Sequence, residues 1–155
     1  LPKLAELANR FPAVTVIVNH LGGRIDPNAD DAELAAWRAA IDAVAACPNT
    51  VMKLGGAQMR VDDWEPPYHM HQASAPWSSD RFMQTLLPRY QYALEAFSPE
   101  RCMFESNFPV DKDCISYRTL WNLFKKIANE LGLAESEKRH VFSGTAARAY
   151  RLTPP

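Results

Sequence analysis

The chain has 155 residues, of which 47% are hydrophobic and 23% charged, as in an ordinary globular domain. The net charge is −1, the basic residues are scattered, and no apolar run approaches the ~20 residues that cross a bilayer, so we expect no nucleic-acid or membrane partner. The cysteines number three and form no CxxC pair, which favours free thiols in a reducing compartment and a cytoplasmic protein.

Helical and strand patterns alternate through the first third of the chain. Apolar residues at helical spacing predict a helix at 3–10. The β-branched run VTVIVNH at 14–20 is typical of a strand covered on both faces, as in a parallel sheet. An Ala-rich helix follows at about 32–46, and Asp30 or Asp31 is placed to cap it.

The alternation continues to the end of the chain. The further predicted elements are a strand at 50–56, a long aromatic loop at 57–79, a helix at 80–97, a strand at 101–105, and helices at 114–131 and 135–150. We expect Ser79 or Asp80 to cap the helix at 80–97, and Pro88 to bend or interrupt it.

Each predicted strand is followed by a helix, and this order favours parallel strands joined by helical crossovers. Each strand also ends in polar or glycine-rich residues: Asn19-His20 before Gly22-Gly23, Lys53 before Gly55-Gly56, and the sequence Glu105-Ser106-Asn107. In parallel α/β folds the ligand binds at the C-terminal ends of the strands. The sequence therefore predicts a site at this rim.

Four segments carry a resemblance to a known family: NHLGG at 19–23, VMKLGG at 51–56, RCMFESNFPVDK at 101–112 and FSGTAARAYRL at 142–152. In this order and spacing they resemble the amidohydrolase-related family of TIM-barrel hydrolases, which includes lactonases and decarboxylases. The resemblance implies an α/β fold in which the three strands are the sixth to eighth of a (β/α)8 barrel. Residues 1–155 would be the C-terminal part of that single domain, ending in its final helix.

A complete barrel takes about 250 residues, more than this chain supplies. Three strands alone would leave two unpaired sheet edges and an exposed apolar inner face. The family's first-strand His-x-His metal ligands would lie upstream, because the His-x-His found here, His69-Met70-His71, falls in a predicted loop. We therefore expect an incomplete part of a longer enzyme. Its partner would be the missing N-terminal half of the barrel or a second copy of the chain.

His20 is the leading candidate for catalysis, because it ends an apolar strand and precedes a Gly-Gly turn that permits close approach. The resemblance makes it a ligand of a divalent metal, zinc first, or a proton-handling group. Imidazole can serve either role near neutral pH. The structural alternative is a buried histidine that is hydrogen-bonded within the rim.

Asn107 departs from the family, whose eighth strand ends in an aspartate that binds metal and activates water. An amide cannot act as a general base, although it can orient substrate or water. This departure leaves both a zinc-dependent and a metal-free site open. Glu105 or Asp111 can supply the lost carboxylate. Glu105 should lie on the same side of the strand as Asn107 if the alternation holds, and pairing with a basic residue is its structural alternative.

Two basic residues are candidates for binding a substrate anion. Lys53 lies in an otherwise apolar strand, where an unpaired ammonium would be costly, so it should meet a substrate anion or a carboxylate such as Glu105. Arg60 can hold a substrate carboxylate through two hydrogen bonds, or it is simply an exposed loop residue.

The resemblance thus implies a hydrolase that acts on a small carboxylated ester, in particular a lactone. A decarboxylase of the same superfamily and a catalytically silent structural fragment are the alternatives. Because half of the site would be missing, we expect residues 1–155 alone to show neither hydrolytic activity nor stoichiometric zinc.

Overall fold

The computed structural model describes residues 1–23, 29–57 and 76–153. Its helices are α1 (Pro2–Arg10), α2 (Asp31–Ala45), α3 (Ser79–Phe97), α4 (Tyr117–Glu130), α5 (Glu135–Arg139) and α6 (Thr145–Tyr150). Its strands are β1 (Val16–Val18), β2 (Thr50–Leu54) and β3 (Cys102–Phe104). Short 3-10 turns lie at His20–Gly22, Pro99–Arg101 and Val110–Asp113, and a π turn lies at His140–Gly144.

The strands form one parallel sheet in the order β1-β2-β3, and each is followed by a helix, as predicted. Lys53 lies beside Met103 in the register, and Ile17 lies beside Val51. Because side chains alternate along a strand, these residues share one face of the sheet, the inner face. The residues that alternate with them along each strand form the opposite, outer face of the sheet, which packs against the helices.

The core lies between this outer face and the helices. Met52, Leu54, Cys102 and Phe104 belong to the same buried cluster as the apolar sides of α3 and α4. The ring of Phe104 stacks on that of Phe124 with centroids 4.5 Å apart. Burying a large apolar side chain contributes roughly 1.5–3 kcal/mol, so this layer fixes the sheet against its helices.

Helix starts follow local capping. Asp30 caps α2, because its side chain accepts a hydrogen bond from the Glu33 amide at 2.8 Å, and the Glu33 carboxylate in turn accepts from the Asp30 amide. Of the two residues predicted to cap this helix, Asp30 and Asp31, Asp30 is thus confirmed.

The start of α3 was predicted wrongly. Its cap is Ser78, whose hydroxyl accepts from the Arg81 amide, and not Ser79 or Asp80. Ser78 has extended backbone, which lets its side chain turn back over the first helical turn. The helix also runs through Pro88 without interruption.

The predicted helix at 135–150 consists of three segments: α5, the π turn and α6. A π turn inserts one extra residue into a helix, and a 3.6-residue period in the sequence does not reveal it. Beyond the turn, Thr145 is fully buried and its hydroxyl donates to the carbonyl of Glu100 at 2.8 Å. This bond ties α6 to the 3-10 turn that precedes β3.

Within the described residues, β1 and β3 each pair with β2 alone, as predicted for an open arc of strands. We expected the inner face of the sheet to be exposed. This prediction is wrong for two of its side chains, because Val51 is only 6% exposed and Met103 only 2%. Residues of α6 line the same cavities as these two side chains, so the last helix lies close to this face. No helix in the described part of the chain has the length and apolar composition needed to cross a membrane.

Candidate functional site

The C-terminal ends of the three strands open into one cavity of about 560 Å³, which we call the rim cavity. It is lined by Asn19, His20, Lys53, Met103, Phe104, Glu105, Ser106, Asn107, Phe108, Ala146 and Tyr150. Four residues predicted from the sequence, His20, Lys53, Glu105 and Asn107, are therefore brought together. Tyr150 and Ala146 were missed, because the last helix carried no signal that it reaches the rim.

Glu105 is the centre of the site. Its Oε1 lies 2.6 Å from Nδ1 of His20, and its Oε2 forms an ion pair with the ammonium of Lys53. The Glu105 side chain is only 10% exposed, and the two partners are 25% and 21% exposed. Each predicted strand thus contributes one member of this His20–Glu105–Lys53 cluster. The ion pair named as an alternative for Lys53 and Glu105 is present.

The carboxylate also sets the state of the imidazole. An ionised carboxylate only accepts hydrogen bonds, so Nδ1 of His20 is the donor to Glu105. In the neutral ring this leaves a lone pair on Nε2. No described residue forms a hydrogen bond with Nε2, so this atom remains for a ligand of the rim cavity.

Two glycines after β2 make room for the cluster. A Cβ on Gly56 would lie 2.5 Å from Nδ1 of His20, and the residue has a φ of +68°, which disfavours other side chains. A Cβ on Gly55 would collide with the backbone oxygen and Cγ of Glu105. The Gly-Gly pair is therefore required by the close approach of His20 and Glu105.

β1 ends at Val18, two residues before the predicted end, because the chain turns at His20. His20 and Leu21 both have a φ of 53°, a left-handed conformation that costs roughly 1 kcal/mol or more per residue outside glycine. Leu21 is buried, and its carbonyl accepts a hydrogen bond from Nε1 of Trp37 at 3.0 Å. These contacts hold the turn that directs His20 toward Glu105.

Asn107 also lines the rim cavity but is held by a different partner. It has a φ of 50°, and its Nδ2 donates to Oδ1 of Asp111 at 2.7 Å. Because β3 ends at Phe104, strand alternation does not extend to Asn107, and the predicted reason for its sharing a side with Glu105 fails. The two residues nevertheless line one cavity. The peptide bond between Phe108 and Pro109 is cis.

Asp111 lies behind the site. It is fully buried and does not line the rim cavity, so it cannot act directly as the replacement base that the sequence suggested. Its Oδ2 has no hydrogen-bond partner among the described residues. Burial raises the pKa of Asp111 to about 7, and the charge of Glu105 adds to the rise, whereas the bond from Asn107 opposes it.

Three residues singled out from the sequence, Arg60, His69 and His71, lie outside the described residues. The substrate contact suggested for Arg60 stays a prediction.

The described residues do not fit a complete metal site. They contain no group of three or more His, Cys, Asp or Glu side chains that could hold a metal ion. His20 can offer Nε2 as one ligand, and a carboxylate on the other ring nitrogen is the usual support for a metal-bound histidine. Both oxygens of Glu105 already contact other groups, the imidazole of His20 and the ammonium of Lys53. Position 107 carries an amide, which is a weaker metal ligand than a carboxylate, and its nitrogen is bound to Asp111.

Comparison with known proteins identifies the family of this chain. A sequence model of the amidohydrolase family matches residues 1–152. The chain belongs to the amidohydrolase family. It is 36% identical over 147 residues to the uncharacterized protein y4mH of Sinorhizobium fredii, covering 95% of this chain and 42% of that protein. It is 33% identical to an L-fucono-1,5-lactonase of Burkholderia multivorans, covering 100% of this chain and 49% of that enzyme.

A solved structure confirms the fold. A zinc-bound amidohydrolase of Burkholderia multivorans superposes with a TM-score of 0.78 at 30% identity, covering 98% of this chain and 49% of that one. The chain thus spans about half the length of the relatives it matches. Its parallel sheet and helices form part of a (β/α)8 barrel, as predicted.

Proposed function

We propose that the protein containing this chain hydrolyses a small carboxylated lactone. The chain is an amidohydrolase-family hydrolase, and one relative at 33% identity is named as a lactonase. Because the chain covers only 49% of that enzyme, the activity is proposed for the intact protein. A lactone is an ester, so its hydrolysis needs an activated water and stabilisation of the charge that develops on the carbonyl oxygen.

The observation that carries the proposal is the His20–Glu105 hydrogen bond at the rim cavity. Glu105 holds the ring through Nδ1 and stabilises the imidazolium that forms when Nε2 accepts a proton. His20 is therefore the general base that removes a proton from the attacking water. The imidazolium then returns this proton to the ring oxygen as the acyl C–O bond of the lactone breaks. General acid–base catalysis of this kind typically contributes about 100- to 10,000-fold in rate.

Lys53 holds Glu105 in place through the second carboxylate oxygen. An ammonium has three N–H groups, so one or more remain to meet the developing oxyanion in the rim cavity. Since the charge of Lys53 is already balanced by Glu105, we assign the binding of the substrate carboxylate to Arg60, the other of the two candidates named from the sequence. A guanidinium can hold a carboxylate through two parallel hydrogen bonds.

As an alternative to the general-base role, Nε2 of His20 is the one ligand that the described chain offers to a divalent metal such as zinc, and the intact protein would have to supply the others. The two roles exclude each other, because both use the same lone pair. A metal bound there would polarise the lactone carbonyl or lower the pKa of a bound water. Metal analysis of the purified intact protein and of His20→Ala tests this assignment. Zinc that is present at one equivalent in the wild type and lost in the variant supports it, and zinc retained in full by the variant contradicts it.

We also propose that the free edges of β1 and β3 are covered by the remaining strands of a barrel, from the N-terminal half or from a second copy of the chain. Leu7, Phe11 and Val14, which precede β1, are about half exposed and would be buried by such a partner. Hydrogen exchange of the β1 amides in the intact protein tests this. Slow exchange along the outer edge supports a paired neighbour, and exchange at the rate of an open strand contradicts it.

The activity is tested by measuring proton release from a panel of carboxylated and sugar-derived lactones. We expect His20→Asn and Glu105→Gln to lower kcat/KM by about 100-fold or more. Glu135→Gln is the matched control, because it removes another carboxylate paired with a lysine, on the exposed face of α5. Release of CO2 from carboxylated aromatic acids, with no lactone hydrolysed, would replace the proposal by a decarboxylase.

A further inference from the structure

Asn107 and Asp111 form a pair that the proposed chemistry leaves unexplained. Asn107 lines the rim cavity, whereas Asp111 is wholly buried and, among the described residues, is linked to the cavity by its bond to the Asn107 amide. The 2.7 Å bond from Nδ2 to Oδ1 is short for an amide donor, as is usual when the acceptor is ionised. The other oxygen of Asp111 has no hydrogen-bond partner among the described residues.

We infer that Asp111 is a positioning residue that turns the nitrogen of the Asn107 amide inward, so that the amide oxygen is offered to the attacking water. The inference rests on the proposed function, since it assigns the water as the group that donates to Asn107. An ionised carboxylate accepts and never donates, so it selects one of the two orientations of an amide. A neutral side chain at position 111 that both donates and accepts would allow both orientations.

The assignment completes the surroundings of the water. Water has two hydrogens, and the rim cavity offers two acceptors from different strand ends, Nε2 of His20 and Oδ1 of Asn107. With both hydrogens engaged, a lone pair of the water oxygen is left for the lactone carbonyl. A nucleophile fixed in this way avoids the entropy cost of orienting it during the reaction.

A purely structural role explains the pair less well. A buried carboxylate with one unsatisfied oxygen lowers stability, and a neutral residue of the same shape would fill the space without that cost. The like charge of nearby Glu105 makes ionisation of Asp111 still less favourable. Lys112 and Asp113, in the same 3-10 turn, are exposed. Groups kept in a state that destabilises the fold are concentrated at functional sites.

The orientation is tested first by NMR of the intact protein. The side-chain amide signals of Asn107, identified by their loss in Asn107→Ala, should shift with the ionisation of Asp111 and show a midpoint near pH 7. In Asp111→Asn this titration should vanish, and in Asp113→Asn, which removes an exposed carboxylate from the same turn, it should persist. The inference would be overturned if the carboxyl carbon of Asp111 titrates while the side-chain amide signals of Asn107 do not shift with it.

Kinetics then separate this inference from the proposed function. For a lactone substrate, Asp111→Asn should lower kcat by about tenfold and leave KM within twofold, because the water and not the substrate loses its partner. The same split is expected in Asn107→Ala, and Asp113→Asn should match the wild type. A rise in KM with unchanged kcat would refute the role assigned to the water. A coupled NMR titration in a protein that hydrolyses no lactone supports the positioning by Asp111 and refutes the proposed function.

Discussion

Replacing Asp111 by asparagine should stabilise the protein at neutral and alkaline pH. The substitution keeps the shape of the side chain and an oxygen that can accept from Asn107, but it removes a charge that is buried next to Glu105. The pKa of the Asp111 carboxyl is raised from 3.8 to about 7, chiefly by burial. The folded state therefore binds the proton more tightly than the unfolded state.

The sign and size follow from this difference. Below pH 3.8 Asp111 is protonated in both states and carries no penalty. Between pH 3.8 and about 7 the unfolded state loses its proton first, so the free energy of unfolding falls as the pH rises. Above pH 7 the penalty is complete and amounts to about 4 kcal/mol, as an order of magnitude. Asp111→Asn should therefore raise the free energy of unfolding by most of this amount at pH 8 and by almost none of it at pH 4.

Urea unfolding of the intact protein between pH 4 and pH 8 measures this directly. Asp113→Asn, which removes an exposed carboxylate from the same turn, should follow the wild-type pH dependence. If Asp111→Asn and the wild type differ by the same free energy at both ends of the pH range, the carboxyl is not desolvated as described. A variant that is less stable at pH 8 would show that Asp111 is paired more strongly than its contacts indicate.

Three further outcomes test the packing of the site and its support. Gly56→Ala should lower the free energy of unfolding in urea by about 1–3 kcal/mol more than Gly132→Ala does. Both glycines have a positive φ, but only a Cβ at position 56 would meet His20. Equal losses in the two variants would refute this contact. Asn49→Ala should lower the free energy of unfolding by about 1–3 kcal/mol, since its amide donates to three backbone carbonyls in α1 and the loop before β1. A loss of only a few tenths would mean that water replaces these bonds. Cys102, whose thiol pKa is raised by burial, should resist alkylation by iodoacetamide at pH 8 until the protein unfolds, and rapid labelling of the native protein would contradict its burial.

The strands and their order were predictable because their apolar runs are short, β-branched and separated by helical patterns. The convergence of His20, Lys53 and Glu105 was predictable too, since polar side chains at the ends of parallel strands meet at one edge of the sheet. The Lys53–Glu105 pair followed from the cost of an unpaired ammonium in an apolar strand.

What the sequence did not reveal depends on backbone turns. The C-terminal end of β1 was predicted two residues too late, because nothing in the run at 14–20 signals the left-handed conformation of His20. The bond between Asn107 and Asp111 was missed for the same reason, since it requires the turn that follows a left-handed Asn107. Such conformations are held by tertiary contacts and leave little trace in residue periodicity.

The ion pair between Lys53 and Glu105 also bears on how the sheet selects its alignment. A shift of β2 by a single position would turn the ammonium from the inner face into the apolar layer that holds Met52 and Leu54, and would leave the carboxylate of Glu105 without its cation. Misaligned pairings of these short strands are therefore penalised electrostatically as well as sterically. The same charges that prepare the rim for a ligand thus help the chain to distinguish its native strand alignment from the slipped ones.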